Sequence, residues 1–485
     1  FLMAQRDIKG QVVIYTISGC PHCKKAKETL KGLDLPFYAV NLDDKPDEKK
    51  NLFAMTDMVT VPQIFFNEIF IGGNSDLQEV VGDQVRLNQM LQMLDTIPAP
   101  EGSPEVKNYV DESSETSEFD IMDLLQSTPD EYREIVGKMQ DPETGIHIAD
   151  RIYHLRIYRR CFIGSQAVDW LVKNENLTRT EAVALGNQLR EKLFFKHVVN
   201  DHVFKDKYLF YRFVHHETKK ALNIRKLTLK EPNPASEVAN GLRKVILALY
   251  DKYLSEDGKA VDYKGLGKSE LFSQYEELSF ELQRTDIISL PDNDRKAFFI
   301  NTYNTLMIHA YVRNGFPTSF WQRFKFFSTN SYIIGGQSYT LDDMEHGVLR
   351  GNKRSLLAVS QPFSSSDPRA GAILPLDPRI HFSLVCGAKG CPPIKNYSPE
   401  NIDEELDMAS RSFLESGCVI EGRKIFLSKI LSWYKADFGS STSGMLEYIL
   451  PFLNNAKQAQ LKELLENGSY KVSFMPYDWS TNKNQ

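Results

Sequence analysis

Residues 12–30 read VVIYTISGCPHCKKAKETL. Val12 to Thr16 are all β-branched or aromatic, the composition of a strand. Ser18 and Gly19 end that run. Pro21 suits the first position of a helix, where its missing N–H costs nothing, and the Lys-rich stretch behind it has helical spacing. A strand that ends where a helix begins places Cys20 at a helix N-terminus. Unpaired N–H groups and the positive end of the macrodipole favour a thiolate there, the reactive form of cysteine. Cys23, three residues on, is within reach to resolve a mixed disulfide on Cys20. Lys24, Lys25 and Lys27 add positive charge. The same CxxC could be half of a zinc site or an inert pair. No second CxxC or His pair stands at zinc spacing nearby, so no metal is expected.

Outward from this motif, Pro36 to Leu42 is a second strand-like run, and TVPQIFFNEIFIGG (residues 60–73) reads as a strand pair. The alternation predicts an α/β domain over residues 1–98. Residues 99–118, APEGSPEVKNYVDESSETSE, are acidic and rich in Ser and Pro, and read as a flexible linker. Residues 119–216 look mostly helical with a β-rich end: EAVALGNQLREKLFF has amphipathic spacing, and HVFKDKYLFYRFV alternates like a hairpin. Residues 217–485 form a third block of helices, short strands and Gly/Pro-rich turns. The expected class is multidomain, α/β and α+β.

Of the 485 residues, 25% are charged and 42% hydrophobic, the balance of a soluble globular chain. The net charge of −6 argues against a general nucleic-acid binder. Six cysteines are too few for a disulfide scaffold and fit a reducing compartment. No apolar run approaches the roughly 18–20 residues of a membrane span, and the start lacks a signal-peptide pattern. A cytoplasmic location is the expectation, with peripheral membrane association through the middle segment.

Three separated motifs, CPHC (20–23), TVPQIF (60–65) and IGGNSDL (71–77), make residues 8–98 resemble the dithiol glutaredoxin family. The resemblance implies a thioredoxin-like fold, glutathione as reductant or mixed-disulfide partner, and Cys20 and Cys23 as the redox pair. It implies further that Pro62 is a cis-proline facing the cysteines and that Val61 offers its backbone to glutathione. Gly73, Asn74, Ser75 and Asp76 would hold the γ-glutamyl end. Many glutaredoxins carry Lys or Arg three residues before the first cysteine, aimed at a glutathione carboxylate. Here that position is Ile17, with Lys24 and Gln63 as the substitutes at hand.

Residues 145–213 contain GIHIADRIYHLRIYRRCFIGSQAVDWLV and end in FKDKYLFYRF. Phe162, Gly164, the Val168–Leu171 run and that ending resemble the DEP domain, a small winged-helix-like module with a β-hairpin arm. The resemblance implies a binding role toward membranes or signalling partners. Arg151, His154, Arg156, Arg159 and Arg160 could meet anionic headgroups, or form a solvated face.

In the third block, FFINTYNTLMIHAYV places Asn301, Asn304 and Ile308 on one helical face with His309 beside it, which suggests a buried polar network. LDDMEHGVLR brings Asp342, Glu345 and His346 together. RIHFSLVCGAKGCPPI holds His381, Cys386 and Cys391: Cys386 ends a strand-like run, and Cys391 precedes two prolines and a helix candidate. PYDWSTN offers Asp478 and Asn482. These segments resemble the family catalogued as domain of unknown function 547, over about residues 235–480. The three-part order is similar to a recurring arrangement of electron-carrier-like proteins.

The sharpest chemical expectation for this block is a papain-like or transglutaminase-like cysteine hydrolase or transferase. Cys391 or Cys386 would be its nucleophile, His346 or His381 the base, and Glu345 or Asp478 the orienter. A regulatory Cys386–Cys391 disulfide and packed, inert thiols are the alternatives. For the whole chain, three readings stand side by side: an oxidoreductase acting on glutathione or protein thiols, such a cysteine enzyme served by the redox module, or a redox-responsive signalling adaptor.

Overall fold

A computed structural model describes residues 6, 8–17, 20–43, 45–56, 58–101, 110–111, 128–217, 221–224, 226–255, 260–355, 358–388, 391, 395 and 397–481. The chain divides into two compact units. The first comprises Phe1–Asp120, Lys244–Ser269 and Pro378–Gln485; the second comprises Ile121–Arg243 and Glu270–Asp377. The block read from sequence as residues 217–485 thus contributes segments to both units. Sequence pattern identifies elements, and tertiary packing decides with which neighbours they bury their apolar faces.

The first unit begins with β1 (Val12–Thr16), α1 (Pro21–Gly32), β2 (Tyr38–Asn41) and α2 (Pro46–Thr56). There follow β3 (Gln63–Phe66), β4 (Ile69–Gly72), α3 (Asn74–Gly82), α4 (Gln84–Thr96) and β5 (Val110–Asp111). The sheet runs β4-β3-β1-β2-β5. β1 lies parallel to β2, with Ile14 opposite Ala39, and antiparallel to β3, with Ile14 opposite Ile64. The period-2 alternation of β1 explains its central place. Val12 and Ile14 pack with Ala26, Leu30, Leu77 and Leu94, whereas Val13 and Tyr15 join Val40, Leu42, Leu52 and Phe53 on the other face. Of the expected acidic linker, residues 99–101 and 110–111 are described, and Val110 and Asp111 pair in parallel with β2, where a sheet edge offers their backbone groups partners. Residues 102–109 and 112–118 of that linker lie outside the described residues.

The same unit holds the helix Ile402–Gly417 and a second sheet of Cys418–Glu421, Lys424–Leu427 and Lys471–Phe474 in that order. Leu414, Cys418, Ile425, Leu427, Leu446 and Leu461 form its core with Phe382. The strand-like run expected before Cys386 is not a strand. Pro378–Phe382 is a 3-10 turn, and residues 384–386 enter no sheet. Its apolar residues bury themselves from a compact turn instead.

In the second unit, Ala149–Tyr153, Arg156–Ile163, Phe210–Phe213 and Phe195–His197 form a four-stranded sheet in that spatial order. Helices Gly164–Glu175 and Arg179–Glu191 cover it. Thr178 and Glu181 close a capping box at the second helix. Phe162, Phe195, Phe204, Tyr211 and Phe213 pack ring against ring in the core. Trp170, read from sequence among the resemblance residues, lies at the core edge and donates its indole N–H to Thr144 O at 2.7 Å. The long helix Asp292–Asn314 runs through the rest of the unit with most of its residues buried. Asn301 and Asn304 are buried, as their spacing predicts, and beside them His309 reaches Tyr332 Oη at 2.8 Å through Nδ1 and Glu276 Oε1 at 3.2 Å through Nε2. Arg313 pairs with the same Glu276; burial raises the Glu276 carboxyl, but the bonds from His309 and Arg313 outweigh that and bring it down to about 2. Among the described residues no helix is long and apolar enough to cross a membrane.

Candidate functional site

Cys20 is the N-cap residue of α1, and its Sγ accepts the Cys23 backbone N–H at 3.1 Å. Pro21 occupies the first turn, as the sequence predicts. The two cysteines are joined as a disulfide, and both are buried. The Val61–Pro62 peptide bond is cis, and Val61 O lies 3.9 Å from Cys20 Sγ. The two motifs quoted from separate parts of the sequence therefore meet because β1 and β3 are neighbours in the sheet.

Beyond Pro62 the chain turns at Gly72 and Gly73. Gly72 has φ +112°, and a Cβ there would collide with the Asp76 carboxylate. That carboxylate accepts the Gly73 N–H at 2.7 Å and starts α3. Asn74 Oδ1 is buried with no hydrogen-bond partner. A bare Gly–Gly backbone beside an unfilled buried acceptor suits a peptide-like ligand that donates N–H groups. The substitutes considered for a cation at Ile17 are engaged elsewhere. Lys24 Nζ donates to Leu254 O at 2.6 Å, and the Gln63 amide donates to Met58 O and Thr60 O at 2.6 and 3.1 Å. Ile17 itself packs against the Leu42–Leu52–Phe53 cluster.

A second thiol pair stands in the first unit. The Cys386 backbone N–H donates to Cys391 Sγ at 2.9 Å, and the Tyr477 hydroxyl reaches Cys386 Sγ at 3.0 Å and Cys391 Sγ at 3.2 Å. Burial opposes ionisation of Cys391, but bonds from the Cys386 thiol, the Tyr477 hydroxyl and the Cys386 N–H outweigh it and bring its thiol down to about 7. Cys386, hydrogen-bonded to Cys391, desolvated, and next to the charge that forms there, is pushed well up. One thiol is thus set to ionise and the other to stay protonated as its donor. The sequence pattern points to Asp478 and not to Tyr477 beside it; only the fold aims the ring at the thiols. Trp433 and Trp479 pack around that ring, with centroids 5.0 and 4.6 Å away.

The other sequence candidates are distributed differently. His381 pairs through Nε2 with Asp437 Oδ2 at 2.9 Å and stacks on Tyr434 with centroids 3.8 Å apart. His346 and Glu345 belong to the second unit, in a π-helical turn Asp343–Leu349. His346 Nδ1 meets the Arg350 guanidinium at 2.7 Å, and Glu345 accepts from Tyr303 Oη at 3.4 Å. Asp478 caps the turn to Ser480 N at 2.8 Å. Pro392, Pro393 and Asn482 lie outside the described residues. Cys161 and Cys418 are buried, and burial raises both thiols.

A cis-proline facing a helix-capping CxxC on a β4-β3-β1-β2 sheet defines a thioredoxin-like thiol–disulfide module built from β1 to α4. Comparison with known families gives the particulars. The chain carries, in order, a glutaredoxin domain (matching residues 12–71), a domain found in Dishevelled, Egl-10 and Pleckstrin, or DEP (145–213), and a protein segment of unknown function, DUF547 (287–414). Glutaredoxin-2 of Schizosaccharomyces pombe is 43% identical over 72 residues, which are 14% of this chain and 66% of that protein. Vacuolar membrane-associated protein IML1 of Yarrowia lipolytica is 42% identical over 81 residues, and that of Saccharomyces cerevisiae 33% over 85. Those alignments cover 16% and 17% of this chain and 5% of each relative.

Proposed function

We propose that the chain is a glutathione-linked thiol–disulfide oxidoreductase in which residues 1–98 do the chemistry. Residues 99–118 act as an acidic linker, residues 119–216 bind a partner or membrane, and residues 217–485 supply a further thiol site. The observation that carries the redox reading is Cys20 at the cap of α1, with the Cys23 N–H on its sulfur and Val61–Pro62 facing it. In the reduced form the Cys23 N–H and the helix N-terminus favour the Cys20 thiolate. Cys20 attacks one sulfur of a substrate disulfide or glutathionylated thiol, and the other sulfur leaves and takes a proton. Cys23 then attacks Cys20 and releases the bound sulfur as a thiol. Two glutathione molecules reduce the Cys20–Cys23 disulfide and become one glutathione disulfide. Backbone groups of Val61 and the Gly73–Asp76 turn position the glutathione peptide, with Asn74 Oδ1 as an acceptor for its ammonium end.

The experiment is reduction of a glutathione mixed disulfide by the full chain. Cys20→Ser is expected to abolish turnover, Cys23→Ser to keep turnover through glutathione alone, and Cys391→Ser to leave it intact. Turnover that survives Cys20→Ser would overturn the reading.

A second reading concerns Cys386 and Cys391. The Tyr477-supported thiol at Cys391 supports its use as a nucleophile, either in a papain-like or transglutaminase-like reaction or in forming a Cys386–Cys391 disulfide that the redox module reduces. A third concerns place. The hairpin of residues 149–163 exposes Ile152, Leu155 and Ile157 beside Arg156, Arg159 and Arg160, and this supports peripheral attachment to an anionic membrane from the cytoplasm. The name of the IML1 relatives, vacuolar membrane-associated, points the same way.

A further inference from the structure

The second unit contains a cavity of about 620 Å³ that the thiol chemistry leaves unused. Its size is that of a small-molecule site. Phe324, Ser331, Asp342, Asp343, His346 and Ser360 are among its lining residues, and none of its described lining residues is Lys or Arg. Ser331 Oγ is buried, 1% exposed as a residue, and has no hydrogen-bond partner. A buried hydroxyl in that state is unfavourable until something fills it.

The charged groups around Asp342 are already committed. Asp343 binds Arg369 at 2.9 Å and accepts from Thr340 N and Oγ1 at 2.9 and 2.8 Å. Arg369 also pairs with Asp367. Glu345 takes the Tyr303 hydroxyl, and Arg350 holds His346 Nδ1. A guanidinium only donates, so Nδ1 is the acceptor and the His346 proton sits on Nε2, 4.0 Å from Asp342 Oδ1. The Asp342 side chain, a third exposed, accepts no hydrogen bond among the described residues. Burial, with Glu345 and Asp343 nearby, pushes its carboxyl up to about 7. Among the described residues no three His, Cys, Asp or Glu side chains are placed to hold a metal ion.

We propose that this cavity binds an organic ammonium ligand bearing a neighbouring hydroxyl or carbonyl, with Asp342 and Ser331 accepting from the ammonium and His346 Nε2–H donating to the neighbouring oxygen. A described lining without Lys or Arg, holding a carboxylate that accepts no hydrogen bond among the described residues, selects a positive organic group over an anion. Ionised Asp342 is the binding form, so affinity rises with pH until the carboxyl is fully charged.

The test is calorimetric titration of the full chain with three matched probes: 2-amino-1-phenylethanol, 1-phenyl-1,2-ethanediol and mandelate. At about pH 8 the amino alcohol is expected to bind about ten-fold or more tighter than the other two, the gain of one charge-assisted contact. Its affinity is expected to fall about ten-fold between roughly pH 8 and pH 6 as Asp342 takes a proton. Asp342→Asn should abolish both the preference and the pH dependence, with thermal unfolding checking that the variant folds. Should Asp342→Asn not fold, Ser331→Ala decides, because it is expected to weaken the amino alcohol severalfold. Equal binding of the three probes, no binding of the amino alcohol, tighter binding of Mg²⁺ or Mn²⁺ at the same carboxylate, or unaltered affinity in these variants would each overturn the proposal.

Discussion

The phenolic oxygen of Tyr477 stands 3.2 Å from the Cys391 sulfur, close enough to donate to a thiolate. It joins the Cys386 N–H in drawing that thiol down to about 7 against the cost of burial. Above that pH the ionised form dominates and alkylation should reach its plateau; below it the thiol is protonated and slow. Tyr477→Phe removes one charge-assisted donor and is expected to move the midpoint of the profile up by about one unit. Labelling near neutral pH then falls about five-fold. Iodoacetamide labelling followed by peptide mass spectrometry reads this directly, and a profile that does not move would show that the hydroxyl does not support the thiolate.

Asp130 and Arg284 form an ion pair at 2.5 Å with neither side chain exposed. Arg284 also donates to Lys192 O and Lys230 O, and its guanidinium lies 3.7 Å from the centre of the Phe194 ring. One residue thereby ties the DEP segment to the 3-10 turn Phe280–Arg284 inside the second unit. Asp130→Ala leaves a buried cation without its counter-charge and is expected to cost about 3–5 kcal/mol in denaturant unfolding. A loss under about 1 kcal/mol would mean that the backbone carbonyls alone hold Arg284.

Leu155 is fully exposed at the tip of the Ala149–Ile163 hairpin, in a left-handed backbone conformation with φ +63°. Such a side chain contributes nothing to the core, so Leu155→Glu is expected to leave the unfolding temperature unchanged. Binding to vesicles containing anionic lipid should fall about ten-fold, because the substitution removes apolar area and adds repulsion. Co-sedimentation measures it, and undiminished binding would move the attachment site away from the hairpin.

The redox centre is legible in the sequence. CPHC carries a helix start in its own residues, and TVPQIF and IGGNSDL are local turn and strand patterns. Backbone stereochemistry acts over a few residues, so such features are written in short stretches. The reading was thinner where function depends on residues far apart in the chain. Residue type alone groups His346 and Glu345 with Cys391. In the fold His346 bonds Arg350 and lines a cavity with Asp342, while Cys391 has Tyr477, 86 residues away in sequence, on its sulfur.

The sequence by itself determined the order of the three domains, the α/β character of the first, and the pair Cys20–Cys23 at a helix start. The domain order follows from motifs that resemble known families; the α/β character and the helix start at Cys20 follow from periodicity, helix-end preferences and turn chemistry, all of short range. Only the tertiary structure decided that Tyr477 polarises the second thiol pair, that His381 is held by Asp437, and that residues 217–485 divide their packing between two units. The reason is that burial and hydrogen bonding are satisfied in space. A donor, a counter-charge or an apolar face is chosen by proximity after folding, and the linear chain does not carry that proximity.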